Sequence, residues 1–175
     1  MTRWHPGERR ADTASMIRVD QAGEFGATRI YEGQLAVLRP NSPAAKLVAR
    51  MADQERRHLD RFTALMAERS IRPTALQPLW NVAGFALGAA TALMSEKAAM
   101  ACTEAVEIEI DRHYGQQLDE LGADDPELAA DIAEFRDDEL EHRDVARKAG
   151  AAQAVAYPLL TAAIRAGCRL AIGLS

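Results

Sequence analysis

The sequence predicts an all-α protein, a four-helix bundle assembled from two similar helical hairpins. Three observations carry that expectation. The pattern Glu-x-x-His occurs twice, as Glu55 with His58 and Glu139 with His142. Each copy follows another glutamate at nearly the same distance, 31 residues from Glu24 to Glu55 and 32 from Glu107 to Glu139. Helix-period apolar patterns dominate, and strand-like alternation is absent. Glu and His three positions apart share one helix face, so each pair can aim a carboxylate and an imidazole at a single point. Two such pairs, plus a lone glutamate from each of two further helices, make the ligand set of a di-iron or di-manganese carboxylate bundle.

The elements follow in order. A first helix is expected over about 13–38, with Ile30, Leu35 and Leu38 in helical register. Pro40-Asn41-Ser42-Pro43 ends it, and Ser42 suits an N-cap with Pro43 at the first position of a second helix over 43–69. The break sits midway between Glu24 and Glu55. Two antiparallel helices would therefore bring those carboxylates level, ~24 Å from the turn at ~1.5 Å per residue. A third helix is expected over 80–121, with a break near Met94-Ser95, and a fourth over 127–148 capped by Gly150. The break Leu121-Gly122-Ala123-Asp124-Asp125-Pro126 lies midway between Glu107 and Glu139, so both hairpins converge on one layer.

Two stretches exceed what a simple bundle needs. Pro73–Ser95 contains no charged residue, and Val82–Met94 is apolar or small apart from Thr91. Those 13 residues are too few to span a bilayer as a helix and suit an interfacial or a buried segment. A last helix over about 152–173 carries only Arg165 and Arg169 as charges, among Leu159, Leu160, Ile164, Leu170 and Ile172. Such an amphipathic, cationic helix can lie in a membrane surface. Phe85 and Leu87 are expected on a lipid-facing side, with Arg165 and Arg169 at the headgroups.

Internal alignment chooses among competing ligands. Asp53–Asp60 and Asp137–Asp144 both read Asp-x-Glu-x-x-His-x-Asp. Glu24 lies seven residues before Tyr31 and Glu107 seven before Tyr114, a spacing that Glu104 and Glu109 do not share. The expected metal ligands are therefore Glu24, Glu55, His58, Glu107, Glu139 and His142. Asp20 and Asp111, each four residues from a lone glutamate, are candidates to orient the imidazoles, and Tyr31 joins them as a second layer around the ligands. Asp53 and Asp60 fall off the Glu55 face and read as surface or inter-helix pairs. Tyr114 shares a face with Glu107 and is either a relay beside the metals or a core tyrosine.

Composition sets the remaining bounds. At 175 residues and 48% hydrophobic, residues 1–175 are expected to form one domain with a substantial core. A net charge of -5 gives a nucleic-acid partner no electrostatic support. Four buried glutamates would protonate if left alone, and two divalent cations would neutralise them. Cys102 and Cys168 lack metal-type spacing and read as packing residues. Met1–Pro6 has no apolar signal core, and His5 reads as a terminal residue without a role.

The chain resembles the demethoxyubiquinone hydroxylase family, the di-iron monooxygenases of ubiquinone biosynthesis. The resemblance rests on Arg18–Ala27, Asp53–Leu59, Ala101–Glu107 running on to His113-Tyr114, Phe135–His142 and Ala166–Ile172, and it covers the chain from about Arg18. It implies a ferritin-like fold, two iron ions held by the six residues above, and Glu55 and Glu139 as candidates to bridge them. It implies insertion of one atom of O2 into the ring of a polyprenylated methoxybenzoquinone, with electrons from NADH or NADPH through an external route. The chain has no Gly-x-Gly-x-x-Gly of its own. It places His113 and Tyr114 near the metals and implies a peripheral protein of the cytoplasmic face of a bacterial inner membrane. Membrane lipid and other proteins of ubiquinone biosynthesis are the implied partners. A ferritin- or rubrerythrin-type iron oxidase or peroxidase shares the ligand set without needing apolar surface. A lipid-binding scaffold of a quinone-synthesis complex is the non-enzymatic alternative.

Overall fold

The computed structural model describes residues 11–175, so the readings of Met1–Pro6 and His5 lie outside the described residues. Six α-helices follow one another: α1 (Thr13–Val37), α2 (Pro43–Glu68), α3 (Gln77–Met94), α4 (Glu96–Leu121), α5 (Pro126–Lys148) and α6 (Tyr157–Leu174). No strand occurs among the described residues. Helix starts follow local chemistry. The side chains of Asp12, Ser42, Ser95 and Asp125 accept the N–H three residues on, at 3.0, 3.1, 3.0 and 3.1 Å. Pro43 and Pro126 stand in the first turns they were expected to open. Gly122 and Gly150, with φ of 50° and 95°, end α4 and α5 in the left-handed region.

The break expected near Met94-Ser95 is present: Ser95 separates α3 from α4, because its backbone is extended and its hydroxyl caps the next helix. One boundary differs from expectation. The last helix starts at Tyr157 rather than near 152, after a 3₁₀ turn over Ala151–Gln153 and a left-handed Ala156.

Helices α1, α2, α4 and α5 form the bundle, with α1–α2 and α4–α5 as the two hairpins. The core has two apolar ends. Met16, Ile17, Phe62, Leu65, Tyr114, Leu128 and Ile132 fill one end. Tyr31, Leu38, Val48, Met51, Ala98–Ala101 and Ala146 fill the other. Each fully buried large side chain contributes ~1.5–3 kcal/mol. The glutamates fall between these ends on every helix, so the polar layer is clamped from above and below.

The remaining helices lie outside that bundle. Gly33 and Gly88 let α3 touch α1 backbone to backbone. A Cβ on Gly88 would strike the Ile30 carbonyl, and one on Gly33 the Phe85 carbonyl. Helix α6 lies on α4 through one buried residue, Ile164, which joins Ile30, Cys102, Ala105 and Val106. Trp80 Nε1 donates to Ser175 Oγ at 3.1 Å, linking the start of α3 to the end of α6. Large exposed hydrophobics gather here: Leu79, Val82, Leu93 and Met94 on α3, Leu159, Leu170 and Leu174 on α6, and Val155 before it. Among the described residues no helix is long and apolar enough to cross a membrane.

Two expectations about this surface need correction. Phe85 and Leu87 are only half exposed. The Phe85 ring lies 5.1 Å from the Arg29 guanidinium, and Leu87 packs against the Cys102 and Ile164 cluster. Arg165 and Arg169 do not stand free for headgroups either. Both donate to Glu109 Oε1, at 2.6 and 2.7 Å, because that carboxylate is almost wholly buried and needs cations.

Candidate metal centre

The sequence spacing becomes a geometry at the middle of the bundle. Helix α1 brings Glu24, α2 brings Glu55 and His58, α4 brings Glu107, and α5 brings Glu139 and His142, all at most 1% exposed. They form two groups of four. Glu24, Glu55, His58 and Glu139 can each offer a ligand atom within 4.8 Å of the others, and so can Glu55, Glu107, Glu139 and His142. Glu55 and Glu139 belong to both groups and stand between them.

The imidazoles face inward by Nδ1. His58 Nδ1 lies 3.2 Å from Glu139 and 3.7 Å from Glu24, and His142 Nδ1 lies 3.1 Å from Glu55 and 3.2 Å from Glu139. The first of these approaches lacks hydrogen-bond geometry, and His58 Nδ1 has no partner. Outer nitrogens set the tautomers. His58 Nε2 donates to Asp138 Oδ2 at 3.0 Å, and His142 Nε2 donates to Gln54 Oε1 at 3.1 Å. Neither acceptor was expected. The signal was present in the repeat, since each immediately precedes the shared glutamate of the opposite hairpin.

Tyrosines hold the lone glutamates across the bundle. Tyr31 of α1 donates to Glu107 Oε1 at 2.5 Å, and Tyr114 of α4 donates to Glu24. The seven-residue spacing therefore marks a crossed pair. Asp20 does orient an imidazole, but that of His113, whose Nε2 lies 3.0 Å from Oδ1; Gln117 donates to the same oxygen at 2.8 Å. Asp111 must be corrected. It accepts from Arg136 at 2.6 Å and touches no histidine. Asp53 pairs with Arg56 on the surface. The rejected competitors have other partners, Glu104 with Arg147 and Tyr157 and Glu109 with Arg165 and Arg169.

The electrostatics are those of an uncompensated anionic core. Burial, then repulsion from the other carboxylates, pushes Glu55 and Glu107 well above the ordinary carboxylate range. Burial also raises Glu139. Burial acts upward on Glu24 too, but the neighbouring His58, 3.7 Å away, and Glu55 outweigh it and the net direction is down. Burial opposes charge on His58, yet the Glu139 and Glu24 carboxylates, 3.2 and 3.7 Å from Nδ1, carry it up to about 11. Burial lowers His142.

The donor set fits divalent metal. Glu24 Oε2, both oxygens of Glu55, Glu107 Oε2, Glu139 Oε1 and His58 Nδ1 are buried without a hydrogen-bond partner. Orphaned atoms of this kind are costly unless something binds them. Carboxylates with imidazoles suit hard-to-borderline first-row cations. A small apolar cavity of about 20 Å³ beside Glu24 is lined by Val19, Asp20, Gly23, Ile110, His113, Tyr114 and Ile172 of α6. A more open cleft of about 300 Å³ adjoins it at His113.

The sequence profile of ubiquinone biosynthesis protein COQ7 matches residues 11–175. The chain belongs to the COQ7 family. Its relatives in this family include the 3-demethoxyubiquinol 3-hydroxylase of Rhodospirillum rubrum, 57% identical over 159 residues, 91% of this chain and 75% of that protein. The human NADPH-dependent 3-demethoxyubiquinone 3-hydroxylase, mitochondrial, is 51% identical over 170 residues, 95% of this chain and 78% of that one. The 5-demethoxyubiquinone hydroxylase, mitochondrial, of Saccharomyces cerevisiae is 46% identical over 173 residues, 90% of this chain and 74% of that one.

Proposed function

We propose that this COQ7-family chain is a di-iron monooxygenase that hydroxylates the ring of a polyprenylated methoxybenzoquinone, a demethoxyubiquinone, with O2. One observation carries the reading: two buried ligand groups share Glu55 and Glu139 on a chain 57% identical to a 3-demethoxyubiquinol 3-hydroxylase. Glu24 with His58 would hold one iron ion and Glu107 with His142 the other, with Glu55 and Glu139 in reach of both groups. When bound, the iron pair supplies the redox capacity needed to activate O2.

The chain's own residues hold and protect that chemistry. Tyr31 and Tyr114 fix the orientation of Glu107 and Glu24 by donating their hydroxyl hydrogens. The apolar ends of the bundle exclude water from the layer between them. Asp20 keeps the proton of His113 on Nε2, leaving Nδ1 as an acceptor. His113 lines the cleft and Tyr114 reaches Glu24, with their ring centroids 6.1 Å apart. NADPH, named in the human relative, or NADH serves as the ultimate reductant, supplied from outside the chain. The exposed apolar residues of α3 and α6 rest in the interface of the membrane that dissolves the polyprenyl tail. This gives residues 1–175 the role of one peripheral membrane domain.

Labelled O2 tests the reading. Iron-loaded protein, reductant and a demethoxyquinone should yield a hydroxyquinone carrying one labelled oxygen atom. Label found only in water, with ferric mineral accumulating over many turnovers, would make this a ferritin- or rubrerythrin-type iron oxidase instead.

A further inference from the structure

Around the glutamate layer the two hairpins match position by position. Tyr31 on Glu107 is mirrored by Tyr114 on Glu24. Gln34 reaching Thr103 is mirrored by Gln117 reaching Asp20. The residues that grip the outer nitrogens of the two histidines break the match. They occupy equivalent places, each one residue before a shared glutamate, yet His58 meets the carboxylate of Asp138 and His142 meets the neutral amide of Gln54.

We infer that Asp138 is a positioning residue that makes the Glu24–His58 half-site bind a divalent cation more tightly than the Glu107–His142 half-site, so that the two ions load in a set order. This rests on the dinuclear metal reading above. A hydrogen bond to an ionised acceptor is roughly twice as strong as one to a neutral acceptor. It raises the basicity of the imidazole and holds the ring against rotation, both of which favour metal at Nδ1. The other neighbours do not cancel the difference. Arg57 approaches Asp138 only to 3.9 Å and is two-thirds exposed. Asp20 is taken up by His113 and Gln117, at 3.0 and 2.8 Å, and hydrogen-bonds neither ligand imidazole. The remaining first-layer donors are the same on both sides, one lone glutamate held by a tyrosine and two shared glutamates. Among the groups that hydrogen-bond the outer nitrogens of the two histidines, charge at the Asp138 and Gln54 positions is what differs.

Anaerobic titration of metal-free protein with Mn2+, followed by calorimetry and electron paramagnetic resonance, reads the order directly. Wild-type protein should show two steps, with the spectrum of an isolated ion during the first and of a coupled pair during the second. Asp138→Asn should weaken the first step by about 10- to 100-fold and leave the second in place, so that the steps merge. His58→Ala should remove the tight step and His142→Ala the weak one. In the Asp138→Asn, Gln54→Glu double variant the assignment should invert, with His142→Ala now removing the tight step. A merely structural role for Asp138 would weaken both steps together and could not be inverted. A coupled pair from the first addition, or a first step unchanged in Asp138→Asn, would overturn the inference while leaving the dinuclear centre intact. Failure of wild-type protein to bind Mn2+ would overturn the metal-centre reading itself.

Discussion

Glu109 offers a test of the ligand assignment because it is buried like a ligand but held like a structural ion. Its side chain is 1% exposed, and it takes Arg165 and Arg169 at 2.6 and 2.7 Å, with Arg112 at 3.6 Å. The arginines are 38, 45 and 55% exposed, so they can turn to water when the carboxylate is removed. Glu109→Leu loses two hydrogen bonds to a charged group, discounted for that exposure, and should cost about 1–2 kcal/mol. Changing Arg165 and Arg169 together to Met has a different consequence. It strands a buried carboxylate with only the distant Arg112, and should cost about 3–4 kcal/mol. Adding Glu109→Leu to that double variant should recover part of the loss, since no charge then remains unpaired. Urea unfolding of the iron-loaded protein measures each cost, and an iron count should stay at the wild-type value throughout. Loss of iron in Glu109→Leu would mean that Glu109 is a ligand and that the tyrosine spacing misassigned Glu107. A larger cost for Glu109→Leu than for the arginine pair would refute the burial argument.

Further outcomes follow from the site and the surface. Glu55, Glu107, Glu139 and His58 all hold protons more tightly than usual and must surrender them to ligate. Metal loading should therefore release protons and tighten as pH rises, checked by titration in buffers of different ionisation enthalpy; an affinity that stays flat as pH rises toward about 11, where His58 gives up its proton, would contradict it. Val82→Asp and Leu159→Asp should release the protein from vesicles without loss of iron. Because Arg165 and Arg169 are occupied by Glu109, wild-type binding should depend only weakly on salt. Leu87→Asp should instead lower stability, by about 2–3 kcal/mol, through a charge placed against the Cys102 and Ile164 cluster.

The bundle was legible because its information is local and repeated. Ser42-Pro43 and Asp125-Pro126 announce helix starts by themselves, and the Glu24–Glu55 and Glu107–Glu139 intervals give the level at which hairpins meet. The six candidate ligands could be chosen because tyrosine spacing separates Glu107 from its neighbours, and the structure then shows Tyr114 and Tyr31 crossing to the opposite lone glutamate. Partners set by tertiary approach were not legible. Asp111 has the same offset from Glu107 as Asp20 from Glu24, but α4 turns it toward Arg136. Asp138 and Gln54 look like surface residues until α2 and α5 are placed face to face. Arg165 and Arg169 read as membrane anchors because nothing in α6 reveals that α4 buries an anion beneath them.

The most direct test of the account is Mössbauer spectroscopy of protein loaded with iron-57 and oxidised. Because Glu55 and Glu139 belong to both ligand groups, the account predicts two iron ions per chain, magnetically coupled into a diamagnetic diferric ground state, with the coupling lost in Glu107→Ala and kept in Glu104→Ala. One iron per chain, or two that behave as isolated high-spin ions, would contradict it.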